Sequence, residues 1–262
     1  MDSGAVVQAG ENKQNKMKLA REIEIMDLAL YIRKHKALVI SDVHIGYEEA
    51  LNKQGILVPR FQLQEIVKRF EAIAKKLEDE KKKIRTIIIN GDIKHEFGRI
   101  SDQEWRDTLK FLDLLSKHCE EIILVKGNHD TILGPIAGKR NVQVENYVVL
   151  GDILVAHGDK IVKIKDKIRT IKTIIIGHEH PAISFKGRAL DKFKCFLKGK
   201  WQKKELIVMP SFFLVTEGTD VLREKLLSPY LREVNLGNFD AFVVGDKAYN
   251  FGKLKNIYKK IT

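Results

Sequence analysis

Five short stretches of the sequence carry side chains that can bind metal ions, and together they hold six of the eight histidines. In chain order they contain Asp42 and His44; Asp92 and His95; Asn128, His129 and Asp130; His157 and Asp159; and His178 and His180. Imidazole nitrogens and carboxylate or amide oxygens are ligands of Mn, Fe and Zn centres. One such stretch could be turn chemistry, since Asp, Asn and Gly are common in turns. Five of them together predict a metal site.

Each stretch follows a short run of β-branched and other apolar residues. The runs are Ala37–Ile40, Thr86–Ile89, Ile122–Val125, Ile153–Ala156 and Thr173–Ile176. Continuous apolar runs of this length are typical of strands that are buried on both faces. Ligands of α/β folds bind at the carboxyl ends of strands, so we expect the five stretches to meet at one edge.

Helical patterns separate the first three runs. Residues 61–80 have apolar residues at helical spacing, and residues 101–119 begin with Ser101-x-x-Glu104, the signature of a capping box. Residues 22–33 predict a strand pair that turns near Asp27, and strands dominate from residue 142 onward. The order of elements predicts an α/β fold with two sheets face to face and helices outside.

The length and composition limit the class of protein. The 262 residues, 44% of them hydrophobic, can bury a sizeable core, and no apolar run approaches the ~18 residues of a membrane span. We expect a polar, mobile extension over residues 1–20 and a single domain over residues 21–262. Cys119 and Cys195 are too few for a disulfide framework, and the first residues lack a secretory pattern, which favours the cytoplasm.

The ligand set indicates two metal ions. Cys-x-x-Cys and His-Glu-x-x-His patterns are missing from the sequence, which disfavours structural zinc and the zinc-protease helix. The proposed ligands are two Asp, one Asn and four His: Asp42, His44, Asp92, Asn128, His157, His178 and His180. Seven ligands are too many for one tetrahedral ion but suit two ions that share a bridging carboxylate. The oxygen share favours Mn, with Fe, Zn, Ni and Co as alternatives.

The ordered motifs resemble those of the calcineurin-like metallophosphoesterase superfamily. The motifs are Asp42-x-His44, Gly91-Asp92, Gly127-Asn128-His129-Asp130, His157-Gly158 and Gly177-His178-Glu-His180. The resemblance implies a four-layer αββα sandwich and hydrolysis by attack of a metal-activated hydroxide on phosphorus. It implies that Asp42, His44 and His180 hold one ion. It implies that Asn128, His157 and His178 hold the other, that Asp92 bridges them, and that His129 is the transition-state donor.

Other stretches are similar to the DNA ligase-associated phosphoesterases of archaea and bacteria. The resemblance includes SDVHIGYEEALNKQGILVPRFQ, the ending GHEHP and the block that begins Met209-Pro-Ser-Phe-Phe. His95, three residues after Asp92, is similar to a histidine of the double-strand-break repair exonucleases that helps to position the nucleic-acid phosphate. DNA-repair proteins would then be candidate partners.

The charge bears on the substrate. The formal net charge is +12, and lysines crowd residues 159–172 and 192–202. As a strand, the second segment would place Lys194 and Lys198 on an outer cationic face, where they could attract phosphates. We therefore expect a binuclear phosphodiesterase that acts on nucleic acid, a nuclease or end-processing enzyme. The alternatives are a phosphomonoesterase or cyclic-nucleotide phosphodiesterase with a small substrate, and a non-catalytic scaffold.

Overall fold

The computed structural model describes residues 17–96, 101–130, 133, 138–140, 142–163, 169–185 and 188–261. Among the described residues, the α-helices of four residues or more are α1 (Tyr47–Lys53), α2 (Gln62–Asp79), α3 (Asp102–Leu115), α4 (Pro229–Arg232) and α5 (Leu254–Ile261). The helices predicted over residues 61–80 and 101–119 are therefore confirmed, and both end short of the predicted boundary.

The first sheet has seven strands in chain order. They are β1 (Lys18–Ala20), β2 (Ile23–Met26), β3 (Ala29–Ile32), β4 (Ala37–Ile40), β5 (Thr86–Asn90), β6 (Glu121–Val125) and β7 (Gln143–Glu145). Strands β1 to β4 pair antiparallel, and β4 to β7 pair parallel. The predicted strand pair turns at Asp27, whose φ is 57°. The Val- and Ile-rich β4 and β5 are buried throughout, as parallel strands covered on both faces require.

The second sheet has nine strands. They are β8 (Val148–Leu150), β9 (Ile153–Ala156), β10 (Thr173–Ile176), β11 (Pro181–Phe185), β12 (Arg188–Trp201), β13 (Lys204–Val208), β14 (Thr219–Asp220), β15 (Asp240–Val244) and β16 (Ala248–Lys253). Strands β9, β10 and β13 are parallel and lie side by side, in the order β13-β10-β9. The long β12 pairs with β11, β13 and β15.

Apolar side chains form the layers between and outside the sheets. One core joins the sheets and contains Ile88 of the first sheet and Ile175 and Phe196 of the second. A second core packs α2 and α3 on the first sheet, and a third packs α4 and α5 on the second. The predicted fold class, two sheets flanked by helices, is confirmed.

Two expectations about local structure need correction. Lys18–Ala20 already forms β1, so this part of the predicted extension belongs to the first sheet, and residues 1–16 lie outside the described residues. At α3, the Ser101 hydroxyl accepts the N–H of Glu104 as predicted, at 3.1 Å. The Glu104 carboxylate does not complete the capping box, because it accepts N–H groups of a different loop.

The predicted outer cationic face of residues 192–202 is also wrong. The two faces of β12 alternate as expected, with Cys195 and Leu197 in the core beneath α4 and α5. The lysine face, however, is the inner one, because Phe196 on that face packs in the core between the sheets. Lys198 donates to the carbonyl of Leu19 in the first sheet. Lys198, which is bonded to the first sheet, is therefore not part of an outer surface that could attract phosphates.

None of the helices in the described part of the chain is both long enough and apolar enough to cross a membrane.

Candidate metal centre

The five predicted stretches meet where the two sheets present the ends of parallel strands. Asp42 and His44 follow β4, Asp92 follows β5, and Asn128 follows β6. His157 follows β9, and His178 and His180 follow β10, so these three come from the second sheet. Each stretch leaves its strand at the carboxyl end, where α/β folds bind ligands.

The backbone turns sharply at five of the seven proposed ligands. Asp42, His44, Asp92, His178 and His180 all have φ between 48° and 63°, in the left-handed region. Residues other than glycine rarely adopt this conformation, which costs about 1–3 kcal/mol each and concentrates at functional sites. The loops therefore store strain to aim these side chains into one space.

Glycines beside the ligands make room for them. A Cβ at Gly91 would lie 2.0 Å from Nδ1 of His157, and one at Gly127 would lie 2.1 Å from Oδ1 of Asp92. Only Gly91 of these two has a positive φ, at 83°. Gly127 is needed for close approach, not for the turn geometry that its sequence context suggests.

Asp42, His44 and His180 form the first ligand group. Each offers one ligand atom, and the three atoms lie within 4.8 Å of one another. The Nε2 atoms of His44 and His180 are 3.4 Å apart, and Nε2 of His180 is 3.2 Å from Oδ1 of Asp42. Ser41 donates to Oδ2 of Asp42 at 2.6 Å and holds the carboxylate in place.

Asp92, His157 and His178 form the second group, with the same 4.8 Å limit. Nε2 of His157 is 3.3 Å from Oδ2 of Asp92 and 2.9 Å from Oδ1 of Asn128. Oδ2 of Asp92 is also 3.8 Å from Nε2 of His44 in the first group. Asp92 thus lies close to ligands of both groups.

The donor set fits two divalent cations. Ligands about 2.0–2.2 Å from one ion stand about 3–3.5 Å from each other. The distances from His180 to His44 and to Asp42 in the first group, and from His157 to Asp92 in the second, fall in this range. Imidazoles must be neutral to bind. Burial and the His180 ring lower the pKa of His44 well below its ordinary value, and burial and the His157 ring lower that of His178.

At the centre, neighbouring charged groups oppose the effect of burial on the pKa values of His157 and Asp42. Burial lowers the pKa of His157, but Asp92 and Asp42 outweigh it and raise the pKa to about 9. Burial raises the pKa of Asp42, but His180 and His157 outweigh it and bring the pKa to about 2. This balance of a buried cation against buried anions is the electrostatic setting in which a metal ion replaces a proton.

His129 and His95 stand beside the first group. Their rings stack with centroids 5.3 Å apart, and a ligand atom of each lies within 4.8 Å of one of His44. Nδ1 of His129 is 2.5 Å from the carbonyl oxygen of His95, which can only accept, so Nδ1 carries a proton. The other nitrogen, Nε2, faces the centre, 4.0 Å from Oδ2 of Asp92.

Two acidic residues of the predicted stretches do not join the centre. Asp130 is buried and accepts the N–H of Gly127 at 3.0 Å, which stabilises its own loop. Burial and Asp92 raise the pKa of Asp130 to about 6. Asp159 pairs with Lys160 at 3.9 Å.

Several residues that support the metal centre are not predicted by the sequence patterns. The Phe213 ring packs edge-on against His44 and His180, with centroids 5.1 and 6.0 Å away. Glu179, between two ligands, is fully buried and accepts the N–H groups of Leu227 and Ser228. The Phe-Phe pair after β13 was visible in the sequence, but nothing local indicates which ring faces the histidines.

Comparisons with known proteins agree with this geometry. The sequence model of the family described as calcineurin-like phosphoesterase matches residues 35–197, and no curated protein gives a significant match. The fold is similar to that of a Pseudomonas putida nuclease, MPE, at 19% identity and a TM-score of 0.62, over 90% of this chain and 98% of that one.

A second solved structure, the Escherichia coli phosphoesterase YfcE, is 11% identical, with a TM-score of 0.38, over 83% of this chain and 97% of that one. The family match spans more than half of the chain and contains every residue of both ligand groups. The chain therefore belongs to the calcineurin-like phosphoesterase family and is a metal-dependent phosphoesterase.

Proposed function

We propose that the protein is a binuclear phosphodiesterase that acts on nucleic acid. The observation that carries the proposal is the placement of Asp92 between two groups of imidazole and carboxylate ligands. Asp42, His44 and His180 would hold one ion, and Asn128, His157 and His178 the other. Mn²⁺ suits the mixed oxygen and nitrogen donors. When bound, the ions would supply a hydroxide nucleophile and neutralise charge on the phosphoryl oxygens.

The neighbouring histidines perform the remaining steps. Because Nδ1 of His129 is bonded to the His95 carbonyl, Nε2 is the nitrogen that faces the centre. In the doubly protonated ring, Nε2 would give its proton to the departing oxygen, and Nδ1 would keep its own. Burial and the His129 ring lower the pKa of His95 to about 4. The His95 ring is therefore neutral at pH 7 and would donate one N–H to a phosphate oxygen.

Charge supports a substrate with several phosphates. The formal net charge of +12 attracts polyanions. Lys160 and Lys163 are exposed and follow the ligand His157 within six residues, so they lie close to the centre along the chain. A single phosphodiester carries only one negative charge, so tight binding requires contacts with neighbouring phosphates. The P. putida protein with this fold is a nuclease.

One assay with added Mn²⁺ tests the proposal. It compares single-stranded DNA, single-stranded RNA, a bis-aryl phosphodiester and an aryl phosphomonoester at rising salt. We expect cleavage of a polynucleotide that falls steeply with salt, and a weak salt effect on the aryl diester. Phosphomonoester hydrolysis without attack on any polynucleotide would establish the small-substrate alternative instead.

Charge reversal locates the phosphate contacts. Lys160→Glu combined with Lys163→Glu should slow polynucleotide cleavage at low salt and spare the aryl diester. The matched control, Lys75→Glu with Lys76→Glu, changes the net charge equally on exposed positions near the end of α2. That end is about 20 Å from Gln62, which donates to the carbonyl of His44. Equal effects of the two pairs would show that only net charge matters.

A further inference from the structure

Two fully buried charged side chains outside the ligand set hold the loop that carries His95. Oε1 of Glu104, in the first turn of α3, accepts the backbone N–H groups of His95 at 2.8 Å and Glu96 at 3.0 Å. Nζ of Lys94 donates to the carbonyl of Glu96 and, at 2.6 Å, to that of His129. Glu104 and Lys94 thereby connect the loops that follow β5 and β6.

This connection ends on the ring of His129. The peptide unit between His95 and Glu96 donates its N–H to Glu104, and the His95 carbonyl of the same unit accepts the Nδ1 proton of His129. A shift of this carbonyl would rotate the ring and move Nε2 relative to Asp92. Glu104 therefore acts on the proton donor through one peptide unit and does not need to touch the substrate.

The surroundings of Glu104 indicate that the contact is specific. A buried carboxylate is costly unless it is hydrogen-bonded, and Oε2 of Glu104 has no hydrogen-bond partner among the described residues. Capping of α3 would require only an exposed side chain, so capping alone does not explain why the Glu104 carboxylate is buried. Gly46 leaves room for the carboxylate, because a Cβ there would lie 2.9 Å from Oε1 of Glu104.

We propose that Glu104 is a positioning residue for His129, and that Lys94 fixes the same loop from the opposite side. The inference rests on the proposed function, since it takes His129 as the proton donor to the leaving group. The substrate is the same phosphodiester as in the proposed function. Glu104 is expected to affect only the transfer of the proton to the leaving group.

Leaving-group dependence tests the proposal in the Mn²⁺-loaded protein. Glu104→Ala should slow hydrolysis of an aryl diester that releases phenolate by about 10²-fold, the cost of a misplacement near 1 Å. The same substitution should slow hydrolysis of the diester that releases 4-nitrophenolate much less, because this leaving group needs no proton. Glu104→Gln should keep most activity, because an amide oxygen accepts both N–H groups. Adding Glu104→Ala to His129→Ala should cause no further loss.

Ser101→Ala is the control for stability, since it removes the N-cap of α3 and leaves the Glu104 side chain intact. It should slow neither substrate selectively. A readout without metal is the NMR signal of the His129 Nδ1 proton, expected to be lost in Glu104→Ala and kept in Glu104→Gln. If Glu104→Ala does not fold, Lys94→Met is expected to reproduce the same selective loss and the same change of signal.

The outcomes separate the two proposals. Wild-type protein that hydrolyses neither the aryl diesters nor any polynucleotide would refute the proposed function, and the NMR signal would still decide the positioning. Active wild-type protein with equal losses on both diesters, with additive losses in the double variant, or with an unchanged Nδ1 signal in Glu104→Ala would overturn the positioning role alone.

Discussion

The Nε2 atoms of His44 and His180 lie 3.4 Å apart, although the two residues are 136 positions apart in the chain. A hydrogen bond between these two nitrogens requires a proton on only one of them. Burial lowers the pKa of His44, which favours the neutral form of its ring. The separation also matches two ligands on one cation. The pair is therefore the most direct geometric sign of the first ion.

Two ions per chain are expected after Mn²⁺ loading near neutral pH. Four of the seven ligands are imidazoles, so protonation should release the ions in acid. Because the pKa of His44 is lowered, release of the first ion is expected below the ordinary histidine value of about 6.5. The pKa of His157 is raised to about 9, so the second ion should leave at a higher pH than the first. Elemental analysis across pH measures this. Asp92→Ala should lose the most metal, and a wild-type count of one or zero would contradict the two-ion site.

His129→Ala should keep both ions and lose roughly 10²–10⁴ in rate, the usual contribution of a general acid. The loss should shrink for substrates with a good leaving group. Elemental analysis and steady-state kinetics measure the two properties separately. A variant that loses metal would show that His129 is a ligand instead.

Gly127→Ala should displace the bridging carboxylate, because the added Cβ would lie 2.1 Å from Oδ1 and 2.5 Å from the backbone nitrogen of Asp92. We expect lower metal content and a loss of activity in a protein that still folds. Gly138→Ala is the matched control, since no atom of the described residues lies within 4 Å of its added Cβ. Full metal content in Gly127→Ala would mean that the loop around residue 127 can move enough to accommodate the added Cβ.

Neither cysteine should react readily in the folded protein. Burial raises the pKa of Cys119 to about 11, and burial raises that of Cys195 as well. The reactive thiolate therefore forms only when the pH approaches these raised values. Alkylation at pH 8 should be slow in native protein and fast in denaturant. Rapid loss of activity with a thiol reagent would contradict this expectation.

The ligand positions could be predicted because metal chemistry restricts both residue type and location. Asp42 and His178 each follow an apolar strand, and that local pattern is complete in the sequence. The partner of Glu104 could not be predicted, since its spacing from Ser101 fits a capping box equally well. Only the packing of α3 against the loop after β5 decides which N–H groups the carboxylate meets.

The orientation of β12 shows the same limit. Alternation correctly separated Lys198 from Leu197, but alternation is symmetric and does not tell which face meets the other sheet. Phe196, between the lysines, is the local signal that this face is buried as well. Contacts such as that of Lys198 with Leu19 join residues 179 positions apart, and no short pattern encodes them.

The division of the ligands between the two sheets has a thermodynamic consequence. Asp42 and Asp92 come from the first sheet, whereas His157 and His178 come from the second, so each bound ion would cross-link the layers. By linkage, a ligand that binds only the folded chain stabilises it by RT ln(1 + [L]/Kd). Metal availability would then change the free energy of unfolding of the two-sheet fold. In a cell that lacks the metal, the protein would be less stable as well as inactive.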